Sequence, residues 1–215
     1  MTPNRAYTFA DRLLMQIDQG LRTVFGRPIT TGRPYPGDRH DEAELNESER
    51  QEAIRLIRID HCGEVCAQAL YQGQALTARD PAVREALTEA AEEENDHLAW
   101  CSQRLEELGG RTSYLSPFFY VGSLALGAAA GLAGDRWSLG FLAETEHQVV
   151  KHLDGHLQRL APQDARSRAV LEQMKEDEGK HATTALNAGG AELPAPIPQL
   201  MKAASKVMTG TTYWL

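Results

Sequence analysis

Glu94-Asn95-Asp96-His97 and Glu178-Gly179-Lys180-His181 are two copies of one string, Glu-x-x-His, set 84 residues apart. Both stand late in long stretches of helical periodicity. A helix turns by about 100° per residue, so positions i and i+3 leave the same face. Each string can therefore aim a carboxylate oxygen and an imidazole nitrogen at one point. One such pair arises by chance in many helices. Two pairs weigh more because each follows another helix with a glutamate near its middle. Glu64 lies 30 residues before Glu94, and Glu146 lies 32 before Glu178. Each half of the chain reads as helix with Glu, tight turn, helix with Glu-x-x-His. Bundles that hold two metal ions take one glutamate from each of two helices and Glu-x-x-His from each of the other two.

Working outward, the first long helix is expected from Glu49 to about Thr77, interrupted in composition only by Gly63 and Gly73. Asp80-Pro81 is a helix start, and Gly109-Gly110 stops the second helix just after Leu108. The third is expected over about Arg136–Leu160. Pro162 is expected to open the fourth, which ends at Gly189-Gly190. The third helix carries a further Glu-x-x-His, Glu144-Thr145-Glu146-His147, so its ligand has to be chosen by face. Leu142, Ala143, Val149, Val150 and Leu153 flank Glu146, whereas Gly140, Phe141, His147, Gln148 and Lys151 surround Glu144. The apolar lining selects Glu146 and leaves Glu144 and His147 outward.

Residues 112–134 hold no charge over 23 positions and join the two hairpins. That length admits a bilayer span, a crossover helix buried on the bundle, or a segment at a membrane interface. Gly127-Ala128-Ala129-Ala130-Gly131 would let another backbone approach closely. Two hairpins with one long connection predict an all-α, ferritin-like four-helix bundle. Residues 7–25 place Phe9, Leu13, Leu14, Ile17, Leu21 and Phe25 on one face, an amphipathic helix for the bundle or a membrane surface. Residues 26–47, with Gly26, Pro28, Gly32, Pro34, Pro36 and Gly37, read as a linker. The expected division is 1–48, N-terminal helix and linker, and 49–215, the bundle domain. Residues 197–214 form a last amphipathic segment, whose Tyr213-Trp214 suits either core or interface.

At 215 residues, 42% hydrophobic and 24% charged, the composition is that of an ordinary globular chain. A net charge of −8 without a basic run argues against nucleic acid as a partner. Cys62, Cys66 and Cys101 form no Cys-x-x-Cys and read as reduced packing residues. The N-terminus lacks the basic-then-apolar pattern of an export signal. Four carboxylates facing one interior would repel one another, at several kcal/mol per uncompensated ion. Two metal ions supply the compensating charge, and an oxygen-and-nitrogen donor set without thiolate suits iron or manganese.

Ile57-Arg58-Ile59-Asp60-His61-Cys62-Gly63-Glu64, followed by Leu70-Tyr71-Gln72-Gly73-Gln74, resembles the demethoxyubiquinone hydroxylases of ubiquinone biosynthesis. Both Glu-x-x-His strings, the Gly/Ala-rich crossover and Glu146 fall where that family has its counterparts, and the likeness covers about residues 50–215. Cys62 stands where a small residue such as Ala is expected. The resemblance implies two iron ions per chain on Glu64, Glu94, His97, Glu146, Glu178 and His181. It also implies hydroxylation of a polyprenylated benzoquinol ring by O2, with NADH as electron source and the quinone as relay. The chain has no Gly-x-Gly-x-x-Gly after a strand and no iron–sulfur pattern, so it has no dinucleotide-binding Rossmann module of its own. Asp60 and Asp177 are the expected outer partners of ligating histidines. Tyr71, seven residues beyond Glu64, borders either the centre or plain core, and the resemblance suggests a substrate-side role for His152. The implied partners are a lipophilic quinone, a membrane surface on its cytoplasmic side, and a protein that presents the lipid. A homo-oligomer is also compatible. The rival readings are another di-iron hydroxylase, or a ferritin-like protein that stores or oxidises iron without an organic substrate.

Overall fold

Asn46 starts the first long helix by accepting the Glu49 amide hydrogen, while Glu49 accepts in return from the Asn46 backbone, a reciprocal cap. The computed structural model describes residues 8–215, apart from the side chains of Phe9, Ala10, Arg12 and Leu13. The side chains of Phe9 and Leu13, expected on the apolar face, and the expected helix start at Tyr7 fall outside what is described. The elements are α1 (Phe9–Phe25), a 3-10 turn (Pro36–Arg39), α2 (Glu47–Thr77), α3 (Pro81–Glu107), α4 (Ser116–Leu132), α5 (Asp135–Arg159), α6 (Ala165–Asn187) and α7 (Pro196–Thr212). The described residues are all-helical, with no strand among them. α2 with α3 and α5 with α6 are the two hairpins of a ferritin-like bundle, and α4 is the long connection.

Asp80 caps α3 and Gly109, at φ +70°, ends it, as the turn residues predict. Pro162 does not open α6. The helix begins at Ala165, because the Asp164 carboxylate accepts from the Ser167 amide and takes the cap position.

The apolar side chains form two layers. Leu56, Ile57, Trp100, Leu105, Leu153 and Met174 fill one end of the bundle. Tyr71, Leu87, Leu139, Leu142 and Ala143 fill the other. Between them lies a polar layer at the level of Glu64, Glu94, Glu146 and Glu178, all buried. Burial of the two layers provides the free energy that holds this charged layer out of water.

α4 lies along α2 through a narrow stripe of Ser116, Tyr120, Gly127 and Gly131. A Cβ on Gly127 would collide with the Leu70 carbonyl, and one on Gly73 with the Leu124 carbonyl, so the two backbones meet glycine to glycine. The opposite side of α4, with Phe118, Val121, Leu126 and Leu132, is exposed. The uncharged stretch is thus half covered, and no described helix is long and apolar enough to cross a membrane. Gly127→Ala, which on an open helix would stabilise by about 0.5–1 kcal/mol, should instead destabilise by about 1–3 kcal/mol through overpacking. Urea unfolding of the variant checks the reversed sign.

α1 packs against α2 and α4. Its expected apolar face is not turned into the bundle: Leu14, Ile17, Leu21 and Phe25 are exposed. Polar groups tie the helix down instead. Tyr120 donates to Gln72 Oε1, and Gln72 Nε2 donates to the side chain and carbonyl oxygens of Gln16.

Candidate metal centre

α2, α3, α5 and α6 each direct a glutamate into the polar layer, and α3 and α6 add a histidine one turn further on. Two overlapping groups of donor atoms result, each compact enough for a metal ion: Glu64, Glu94, His97 and Glu178, and Glu94, Glu146, Glu178 and His181. Within each group the atoms lie within 4.8 Å of one another. Glu94 and Glu178 belong to both, so they stand where bridging carboxylates would. Glu64 with His97, and Glu146 with His181, stand at the two ends.

Both histidines turn Nδ1 inward. His97 Nδ1 is 2.8 Å from Glu94 Oε2, 3.3 Å from Glu178 Oε1 and 3.8 Å from Glu64 Oε2. His181 Nδ1 is 3.2 Å from Glu94 Oε1 and 3.3 Å from Glu178 Oε2. The Nε2 atoms turn outward, each to a carboxylate on the facing helix. His97 Nε2 is 3.2 Å from Asp177 Oδ2 on α6, and His181 Nε2 is 3.0 Å from Glu93 Oε2 on α3. Asp177 and Glu93 each immediately precede the glutamate of a Glu-x-x-His, so the two strings exchange outer partners. Such contacts fix the ring's orientation and tautomer.

Of the two aspartates expected beside these histidines, Asp177 contacts one and Asp60 contacts neither. Asp60 pairs with His156 Nδ1 of α5 at 2.7 Å rather than with His97 or His181. It stands one helical turn before Glu64, on the side of α2 that meets α5, whereas both inward histidines come from α3 and α6. Glu93, His156 and Arg33, whose guanidinium reaches Asp177, were not singled out from sequence. For Glu93 a signal existed, since both strings extend to acid-Glu-x-x-His. For His156 and Arg33 there was none, because each contact joins residues about a hundred or more positions apart.

Electrostatics follow the crowding. Burial, together with the neighbouring Glu94 and Glu178 charges, raises Glu64 well above the usual carboxylate range. Burial and Glu178 do the same to Glu146. Burial also acts upward on Glu94, but His97 and His181 outweigh it and hold this carboxyl low. Burial opposes the charging of His181, yet Glu178 and Glu94 push it up to about 12. The residues fit a pair of cations. Glu146 Oε1 is buried with no hydrogen-bond partner among the described residues, and the donors are oxygen and nitrogen only. Cys101 is turned to Met174 Sδ at 3.7 Å.

Glu144 is half-buried and bonded to Gln148, and His147 is exposed, so neither joins the layer. Tyr71 is fully buried in the apolar layer shared by α2, α3 and α5, with its hydroxyl unpartnered among the described residues. His152 lies outside the layer. It lines an open cavity of about 590 Å³ with Ile59, His156, Thr209, Tyr213 and Trp214. Tyr213 is half-buried and donates to Glu52, while Trp214 is exposed.

Comparison with known proteins agrees with this architecture. The family Ubiquinone biosynthesis protein COQ7 matches residues 51–212. A 3-demethoxyubiquinol 3-hydroxylase of Nitrosococcus oceani is 62% identical over 205 residues, covering 95% of this chain and 96% of the relative. Proteins of the same name from Chromobacterium violaceum and Stutzerimonas stutzeri are each 57% identical, over 94% and 99% of this chain and 98% and 99% of theirs. With three quarters of its length matched and relatives aligned almost end to end, the chain belongs to the COQ7 family of ubiquinone biosynthesis.

Proposed function

We propose that this protein is a monooxygenase that hydroxylates demethoxyubiquinol, using O2 at a centre of two iron ions. The observation that carries the proposal is the pair of overlapping four-residue groups sharing Glu94 and Glu178, in a chain aligned along 95% of its length with a 3-demethoxyubiquinol 3-hydroxylase. Glu64, Glu94, His97, Glu146, Glu178 and His181 are the ligands. Bound iron supplies the redox chemistry that activates O2 for insertion into the ring.

The chain's own residues do the rest. Asp177 and Glu93 hold the imidazoles with Nδ1 inward. The apolar layers on either side keep bulk water from the centre. Tyr71 offers within that dry surrounding a hydroxyl without a partner among the described residues. The cavity at His152 is of a size for an aromatic head group. Its wall residue His156 is bonded to Asp60, one turn of α2 from Glu64. NADH is the electron source in this reading, with the quinone itself as relay.

The substrate is lipophilic, and the reading puts the enzyme at a membrane surface. Support comes from exposed apolar side chains on three helices that pack around α2: Leu14, Ile17 and Leu21 of α1, Phe118 and Val121 of α4, and Leu200 and Val207 of α7. Charge placed on α1 probes this face. Ile17→Glu together with Leu21→Glu should abolish flotation of the protein with anionic liposomes while leaving its helical content intact. Unchanged flotation removes α1 from the membrane face.

The reaction is tested by loading metal-free protein with ferrous iron under anaerobic conditions, then adding O2, NADH and a short-chain demethoxyquinone. A product heavier by one oxygen atom is expected. Iron oxidation with the ring unchanged would favour the ferritin-like alternative.

A further inference from the structure

The stretch between α1 and the 3-10 turn carries two side chains onto the helices that bear the Glu-x-x-His strings. Thr31 donates from its amide (2.8 Å) and its hydroxyl to Asp96 of α3, a fully buried residue next to His97. Two residues on, the Arg33 guanidinium pairs with Asp177 of α6, whose same oxygen faces His97 Nε2. Arg33 also stacks over Trp100, 4.9 Å from the ring centroid, and Trp100 in turn lies 5.3 Å from the His97 ring. Arg33 thus reaches His97 by two routes, through Asp177 and through Trp100. The corresponding carboxylate on His181, Glu93, is about half exposed (47%) and has no arginine or lysine partner among the described residues.

We propose that Arg33 is a positioning residue for one half of the metal centre, fixing His97 through Asp177 and Trp100 while leaving the His181 half unbraced. Thr31 and Arg33 together form a clasp from α3 to α6 at the height of His97. A guanidinium suits this place because it can pair in its plane and stack on its face at once, which an ammonium cannot. The inference rests on the two-metal reading above and adds an asymmetry to it: the ion beside Glu64 and His97 is held more tightly than the ion beside Glu146 and His181.

The test is anaerobic titration of the metal-free full chain with cobalt(II), followed by its visible absorption, with helical content monitored by circular dichroism. Wild type should take up two ions in two steps. Arg33→Ala should weaken one step by about 10- to 100-fold, the range for losing an outer partner, and leave the other step and the helical signal unchanged. Arg33→Lys should recover only part of the loss. Asp177→Asn should weaken the same step, and the double variant should be little worse than either single one, since both act through one contact. Unchanged affinity in Arg33→Ala, equal weakening of both steps, or additive losses in the double variant would overturn the proposal and leave the two-metal reading intact. A wild-type protein that takes up no metal would overturn both.

Discussion

Glu178→Ala should abolish hydroxylation and empty at least one metal position while the helices persist. Glu178 is common to both donor groups, with Oε1 3.3 Å from His97 Nδ1 and Oε2 3.3 Å from His181 Nδ1. Its removal would take a donor from both groups at once. The loss of activity should exceed about 100-fold, the upper range for an outer partner alone. Stability should move differently. Glu64, Glu94, Glu146 and Glu178 are nearly inaccessible to water, and Glu178 raises Glu64 and Glu146 by repulsion. Without metal, deleting Glu178 relieves that repulsion but also removes its attraction for His97 and His181; the two effects oppose each other, so the variant should unfold close to metal-free wild type. With iron present, wild type gains stability from ligand binding and the variant does not. Iron analysis and urea unfolding with and without iron check both statements. A variant with full activity would remove Glu178 from the centre.

Arg104→Met should have the largest effect on stability, about 3–5 kcal/mol, the range for leaving a buried charge without its partner. Arg104 is completely buried near the end of α3. It donates to Glu42, Glu107, Ser167 Oγ and Asp164, the last being the buried residue that caps α6. Burial works against its charge, but these carboxylates more than compensate and hold the guanidinium firmly protonated. Methionine fills similar volume and leaves Asp164 charged, buried and short of a partner. Glu42 is about half exposed (47%), so Glu42→Ala should cost less than about 1 kcal/mol. Denaturant unfolding of both variants, at constant m-value, measures the difference. Because Asp164 sets the start of α6, Arg104→Met should also weaken metal uptake at Glu178 and His181.

What could be read in the chain was what repeats locally. The Glu-x-x-His strings, the Asp80-Pro81 start and the glycine stops are each contained within one or two helical turns, and the glutamate before each string recurs at a similar spacing, 30 and 32 residues. Periodicity then suffices to place them on α2, α3, α5 and α6. The burial of Glu146 rather than Glu144 was legible for the same reason, because the apolar neighbours lie one turn away on the same helix. Contacts between distant segments were not legible. Asp60 meets His156 across 96 positions, and Arg33 meets Asp177 across 144. Composition marks the Pro/Gly-rich stretch before α2 as a linker, yet Thr31 and Arg33 pair with Asp96 of α3 and Asp177 of α6. α6 starts three residues beyond Pro162, because Pro162 and Asp164 both signal a helix start and Arg104 makes the second one the stronger.

Anomalous diffraction at the iron edge, from crystals loaded with ferrous iron without oxygen, would locate the metal itself. Two iron peaks are expected in each chain, one beside Glu64 and His97 and one beside Glu146 and His181, with Glu94 and Glu178 between them. A single peak, or iron bound away from this layer, would contradict the two-iron centre.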